Sequence, residues 1–245
     1  MLPMTNATLW LFPAIKKMVK NLFISALCAG IVAGLIAALL QFIFVIPALL
    51  EGELFESGVH VHFGLDGSPQ SDRASPSLGD DWSRHSMTVA FNIVTYTGYG
   101  LLLAAMIAFA GLKGIITTPR NGLVWGLCGF IAVQLAPAVG LPPELPGTIG
   151  AEIGPRQIWW LGTILATSLG LGLIAFGQNY LPLGGIAIIA IPHLVGAPHL
   201  DVFFGVAPPE LAAEFSTLSL GTAAAGWVVL GYLVSEMLQR LDKST

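Results

Sequence analysis

Charge is what this chain has least of. Only 10% of its 245 residues are Asp, Glu, Lys or Arg, while 55% are hydrophobic, and the mean hydropathy is +0.79. An ordinary soluble domain is excluded by those values. Cysteine is nearly absent. Cys28 and Cys128 both fall inside apolar runs, so they frame neither a disulfide scaffold nor a zinc pair and read as small buried apolar residues. No GxxxxGK[ST] segment is present, which excludes ATP hydrolysis through a P-loop. HExxH, GxSxG and heptad arrays are missing too. The six methionines are scattered and make no thioether path for copper. The net charge of −4 offers nucleic acid no basic surface.

Long uncharged runs are present instead. Leu22–Leu50 is 29 residues without a charge, and about 20 apolar residues cross a hydrocarbon core of roughly 30 Å. Five more runs follow: Met87–Leu112, Gly122–Val139, Gln157–Gly177, Leu181–Ala197 and Phe215–Ser235. The expected fold is therefore all-α: a polytopic membrane protein of about six transmembrane helices. The run from Leu181 is the weakest, because it is short and carries Pro182, Pro192 and His193. A re-entrant or broken helix is the alternative there.

Six spans put both termini on one side. That side receives Lys16, Lys17, Lys20, Lys113, Arg120, Arg240 and Lys243, and the other only Arg73, Arg84 and Arg156. Seven basic residues against three predict cytoplasmic termini. Twelve of the fourteen carboxylates and four of the five histidines then belong to the outer side. Lys16–Lys20 followed by apolar residues resembles a signal peptide, but the run exceeds a signal core of about 7–15 residues. An uncleaved first span is expected.

One transmembrane domain, 1–245, is expected, because no polar segment is long enough to fold alone. The loop Glu51–Ser86 is acidic, holds histidines, and has a turn signal at Asp66-Gly67-Ser68-Pro69. Small residues recur every four positions at Ala26, Gly30, Gly34 and Ala38, and again at Gly100, Ala104 and Ala108, while Gly122 and Gly126 open the third span. Such stripes let helix backbones approach closely in lipid. Pro137, Pro142, Pro143 and Pro146 should prevent regular helix over Ala136–Gly147 and fix an extended turn. Trp159 and Trp160 read as headgroup-level anchors.

Three groups could carry chemistry. Glu53, Glu56 and His60 are spaced i, i+3, i+7, so a continuing helix would align them. His60-Val61-His62 suits an extended segment whose alternate residues share a side. Imidazole and carboxylate together suit a divalent ion; solvated loop histidines are an equal reading. Asp80 and Asp81 precede the second span beside His85, and at least one of them suits a helix N-cap. The third group, Pro192–Asp201, holds His193 inside a span and His199 at its edge. Ionisable groups inside spans are costly and usually functional. The alternative for His193 is a neutral imidazole tying two helices together.

At these segments the chain resembles the CbtA family of cobalt transporter subunits. The matching stretches include LAPAVGLPPELPG, RQIWWLGTILATSLGL, IPHLVGAPHL and PPELAAEF, and they cover most of the chain from Met18 onward. Residues 1–17 are then an extension or follow from an upstream start codon. The resemblance implies a multi-pass subunit in a bacterial inner membrane that serves cobalt uptake for cobalamin synthesis. It also implies a partner, a small single-span CbtB-like protein with histidines near one end, and about five spans rather than six.

The resulting expectation is an importer of divalent cobalt, with nickel or another divalent metal as the alternative cargo. The expected metal contacts are His193, His199, His60, His62, Glu53 and Glu56, with His193 deepest. No tightly bound cofactor and no catalysis are expected. Two rivals from other classes are an intramembrane metalloenzyme and a scaffold that only positions a partner.

Overall fold

The structure is a computed structural model that describes residues 6–62, 71–74, 76–202 and 204–243, with the backbone alone for 6–14. It is all-helical, with 76% helix and no strand among the described residues. The turn expected at Asp66-Gly67-Ser68-Pro69 lies outside them.

The apolar runs become helices extended by polar turns. The first comprises α1 (Asn6–Leu40), a π-helical turn (Gln41–Val45) and α2 (Ile46–Glu56). Next come α3 (Trp82–Leu112) and α4 (Pro119–Phe130). A second π-helical turn (Ile131–Leu135) leads from α4 into α5 (Ala136–Ala138). The chain continues with α6 (Ile153–Phe176), α7 (Leu181–Val195) and α8 (Pro209–Lys243). Among the described residues, five continuous helical stretches are long and apolar enough to cross a membrane: Ile15–Glu56, Trp82–Leu112, Pro119–Ala138, Ile153–Phe176 and Pro209–Lys243. The sixth run, expected to be short or broken, gives α7 with 15 residues. At 1.5 Å per residue that is roughly 22 Å, less than the hydrocarbon thickness.

Both π-helical turns have a visible cause. Pro47 lies two residues after the first and Pro137 two residues after the second. A proline has no N–H to give the carbonyl four residues earlier, and its ring crowds that carbonyl. A widened turn relieves the crowding without ending the helix.

The chain divides into two compact units. The first comprises Met1–Ala38, Arg84–Leu127 and Gly226–Thr245. Close backbone approach holds it together. Gly30 lies against the Thr97 backbone, and a Cβ on Gly34 would stand 2.7 Å from Ile93 Cα. Gly126 lies against the Trp227 carbonyl. The expected small-residue stripes thus line helix contacts, with Ala26, Ala29, Ala33 and Ala104 buried beside them. Tyr99 stacks on Trp227 at 4.5 Å. At one end Asn21 Nδ2 donates to Asp242 Oδ1 (3.3 Å) and Gln239 Nε2 to the Thr117 carbonyl (2.9 Å).

The second unit comprises Leu39–Ser83 and Cys128–Ala225. Its core contains Val45, Ala48, Phe55, Leu145, Leu211 and Phe215. Leu145 comes from the proline-rich segment, which is non-helical after Ala138; its first three residues, Ala136–Ala138, remain helical, contrary to the expected extent of the turn. The segment is fixed as expected: Ser216 Oγ donates to the Pro143 carbonyl (2.6 Å), and Arg156 Nη2 to Glu144 Oε2 (2.8 Å). α6 and α7 form a hairpin in which Gly185 meets the Gly170 carbonyl.

Candidate metal-handling site

All six candidate ligands belong to the second unit. His193 occupies the last turn of α7, immediately after Pro192. Pro192 withholds an N–H from the Ile188 carbonyl one turn earlier. Three residues past His193, Gly196 takes φ +85°, open to glycine and strained for other residues, and α7 stops. His193 is half-buried. Its ring stands edge-on to Trp159 of α6, with centroids 6.0 Å apart and planes at 77°.

Trp159 departs from expectation. It is only 8% exposed, so it is not a headgroup-level anchor; Trp160, 42% exposed, keeps an outward place. The Trp159 indole N–H donates to the Pro192 carbonyl at 2.9 Å. The same carbonyl accepts the Gly196 N–H at 3.0 Å. The indole is held in turn by Gly140, where a Cβ would stand 2.7 Å from the ring. One turn along α6, Thr163 Oγ1 donates to the Trp159 carbonyl at 2.8 Å.

The other candidates are arranged less tightly. α2 ends at Glu56, so the helix that would have aligned Glu53, Glu56 and His60 does not continue. Gly58, at φ +75°, turns the chain instead, and His60 N–H donates back to the Leu54 carbonyl at 2.9 Å. His60 therefore folds onto Phe55, edge-on at 5.3 Å. Its Nδ1 is buried without a hydrogen-bond partner, an uncommon state for a polar atom and one that leaves a lone pair or a proton unused. Glu53 and His62 are half-buried, whereas Glu56 and His199 are exposed. Asp81 directly precedes α3, at the N-cap position. Among the described residues no three of His, Cys, Asp and Glu gather closely enough to hold a metal ion.

The profile of the CbtA family, described as a probable cobalt transporter subunit, matches residues 19–239. The chain belongs to the CbtA family. No curated protein and no solved structure matches it. The family match covers every candidate ligand, and a subunit implies a partner.

Two residues of this CbtA-family chain were not singled out as ligands or supports by sequence reasoning. Trp159 is one, since a Trp-Trp pair beside an arginine carries the signature of an interface. Glu51 is the other. It is 6% exposed and its Oε1 accepts the Ala74 N–H at 3.1 Å. A carboxylate is seldom buried so far unless paired. Its place at the end of the longest apolar run was the one available signal.

Proposed function

We propose that this chain is the membrane-spanning subunit of an importer that moves divalent cobalt inward across a bacterial inner membrane, and that it is not an enzyme. The observation that carries the reading is His193. It stands half-buried at the broken end of a short apolar helix, in the unit that also holds twelve of the fourteen acids. Ionisable groups at such positions usually serve transport or catalysis, and the family supplies transport.

In this reading the acidic segments concentrate cations at the outer mouth. His60, His62 and His199, with Glu53 and Glu56, replace part of the hydration shell, and His193 forms the deeper contact. Cobalt is cargo here, not a resident cofactor. A dication moving inward gains about 4.6 kcal/mol per 100 mV of inside-negative potential. The partner would be a small single-span subunit bearing histidines, and the physiological use would be cobalamin synthesis. Both termini would be cytoplasmic. Single cysteines at Thr148 and Pro208 in a Cys-free background should then react with an impermeant outside reagent. Labelling of Lys243→Cys from outside contradicts that topology.

A second reading is a scaffold that only positions the partner. It is favoured by the absence of any three-ligand cluster among the described residues. Radioactive cobalt uptake into cells separates the two. The importer reading expects accumulation when the chain and a single-span partner are expressed together, and cobalt binding by the purified chain alone. The scaffold reading expects no binding by the chain. Competition by nickel in the same assay decides the cargo.

A further inference from the structure

We propose that Trp159 is a positioning residue that fixes the broken end of α7 and, through it, the His193 imidazole. The inference rests on the reading of His193 as a cation contact, and it adds a residue that sequence motifs alone assigned to membrane anchoring.

A helix leaves its last four carbonyls without intrahelical donors. In α7 the Gly196 N–H closes one bond to the Pro192 carbonyl, and Pro198 removes a further backbone donor just beyond. A donor from outside the helix adds to what that end holds by itself. The Trp159 indole N–H supplies a second bond to the same Pro192 carbonyl, at 2.9 Å from a residue 33 positions away. That carbonyl belongs to the peptide unit whose nitrogen is that of His193. The indole therefore holds the His193 backbone, while the two rings stand nearly perpendicular, with centroids 6.0 Å apart and planes at 77°.

The indole itself has little freedom. It is 8% exposed, and Gly140, with no Cβ, closes on one side of it. The Thr163 hydroxyl donates to the Trp159 carbonyl one turn below. A buried indole with Gly140 against its ring and its N–H bonded can hold the segment it bonds to.

The test replaces Trp159 by β-(3-benzothienyl)alanine, which keeps the ring shape and lacks the N–H, alongside Trp159→Phe. Two readouts are taken on the full chain in detergent. One is the rate at which diethyl pyrocarbonate modifies His193, followed by mass spectrometry. The other is the midpoint of binding of cobalt(II) chloride. Loss of one hydrogen bond should raise the His193 modification rate and move the cobalt midpoint about five-fold upward. In a His193→Gln background the substitution at Trp159 should have no further effect on cobalt. An unchanged His193 modification rate in both variants overturns the proposal, whatever cobalt does. Faster modification with an unmoved cobalt midpoint upholds Trp159 as the positioning residue and overturns the reading of His193 as a cation contact.

Discussion

The two compact units differ sharply in charge. The first carries eight of the ten basic residues and two of the fourteen acids; the second carries twelve acids, two basic residues and four of the five histidines. Glycine and alanine approaches hold the first unit, where Gly30, Gly34 and Gly126 leave no room for a side chain. Both π-helical turns, the short α7 and the proline-rich segment occur in the second. Irregular backbone at membrane depth is tolerated only where protein or a water-filled cavity covers it. Close glycine contacts occur in the second unit as well, where Gly170 and Gly185 bring α6 and α7 together. The irregular helices and all six proposed metal contacts share the second unit.

The largest effect should come from disturbing the close backbone approaches of the first unit. Gly126→Val places atoms where the Trp227 carbonyl stands. It should destabilise the protein by about 3 kcal/mol or more, read as a lower thermal midpoint and less monodisperse protein after extraction. Gly98→Ala in the same unit meets nothing within 4 Å and should be neutral or slightly stabilising. Equal stability of the two variants would show that close backbone approach does not hold the first unit together.

A smaller effect is expected where the second unit meets solvent. Asp72 is exposed; its partner in the expected cation-gathering role, Asp66, lies outside the described residues. Asp72→Asn should slow cobalt uptake about two-fold at low ionic strength and hardly at all at physiological salt, where exposed charges are screened over about 8 Å. A loss that salt does not change would make Asp72 a direct ligand. The smallest effect concerns the Arg73–Glu214 pair, 2.8 Å apart with side chains 76% and 42% exposed. Arg73→Ala should alter the unfolding free energy by no more than about 0.5 kcal/mol. A larger change would mean that surface charge, and not only its core around Phe55 and Leu145, holds the second unit.

Much of this architecture can be read from composition and periodicity. Uncharged runs located all five long helices, and the prolines with the short run foretold the weakness of α7. Four-residue spacing identified the stripes through Gly30 and Gly100. Those signals are local or strictly periodic, so they survive without tertiary information. What could not be read depends on partners distant in sequence. Nothing near Trp159 indicates that its indole meets Pro192. The end of α2 depends on Gly58 adopting φ +75°, which a glycine permits without requiring, so the alignment of Glu53, Glu56 and His60 was an open condition. The buried Glu51 bonds the Ala74 N–H, 23 residues further along the chain. The π-helical turns needed the consequence of Pro47 and Pro137 to be followed back one turn along the helix.

The central claim is that a cation crosses by way of His193. It is tested most directly by cobalt-57 influx into proteoliposomes holding the chain and its partner under an imposed inside-negative potential, with His193→Gln as the comparison. Gln keeps a hydrogen-bonding side chain of similar reach, so folding and insertion should be preserved, and the purified variant should elute and melt as the parent does. The account predicts influx that rises with the potential in the parent and falls by roughly 100-fold in the variant, at the upper end of the losses seen when a metal's supporting residues are removed. Influx in His193→Gln equal to that of the parent would make His193 a structural tie between helices and contradict the account.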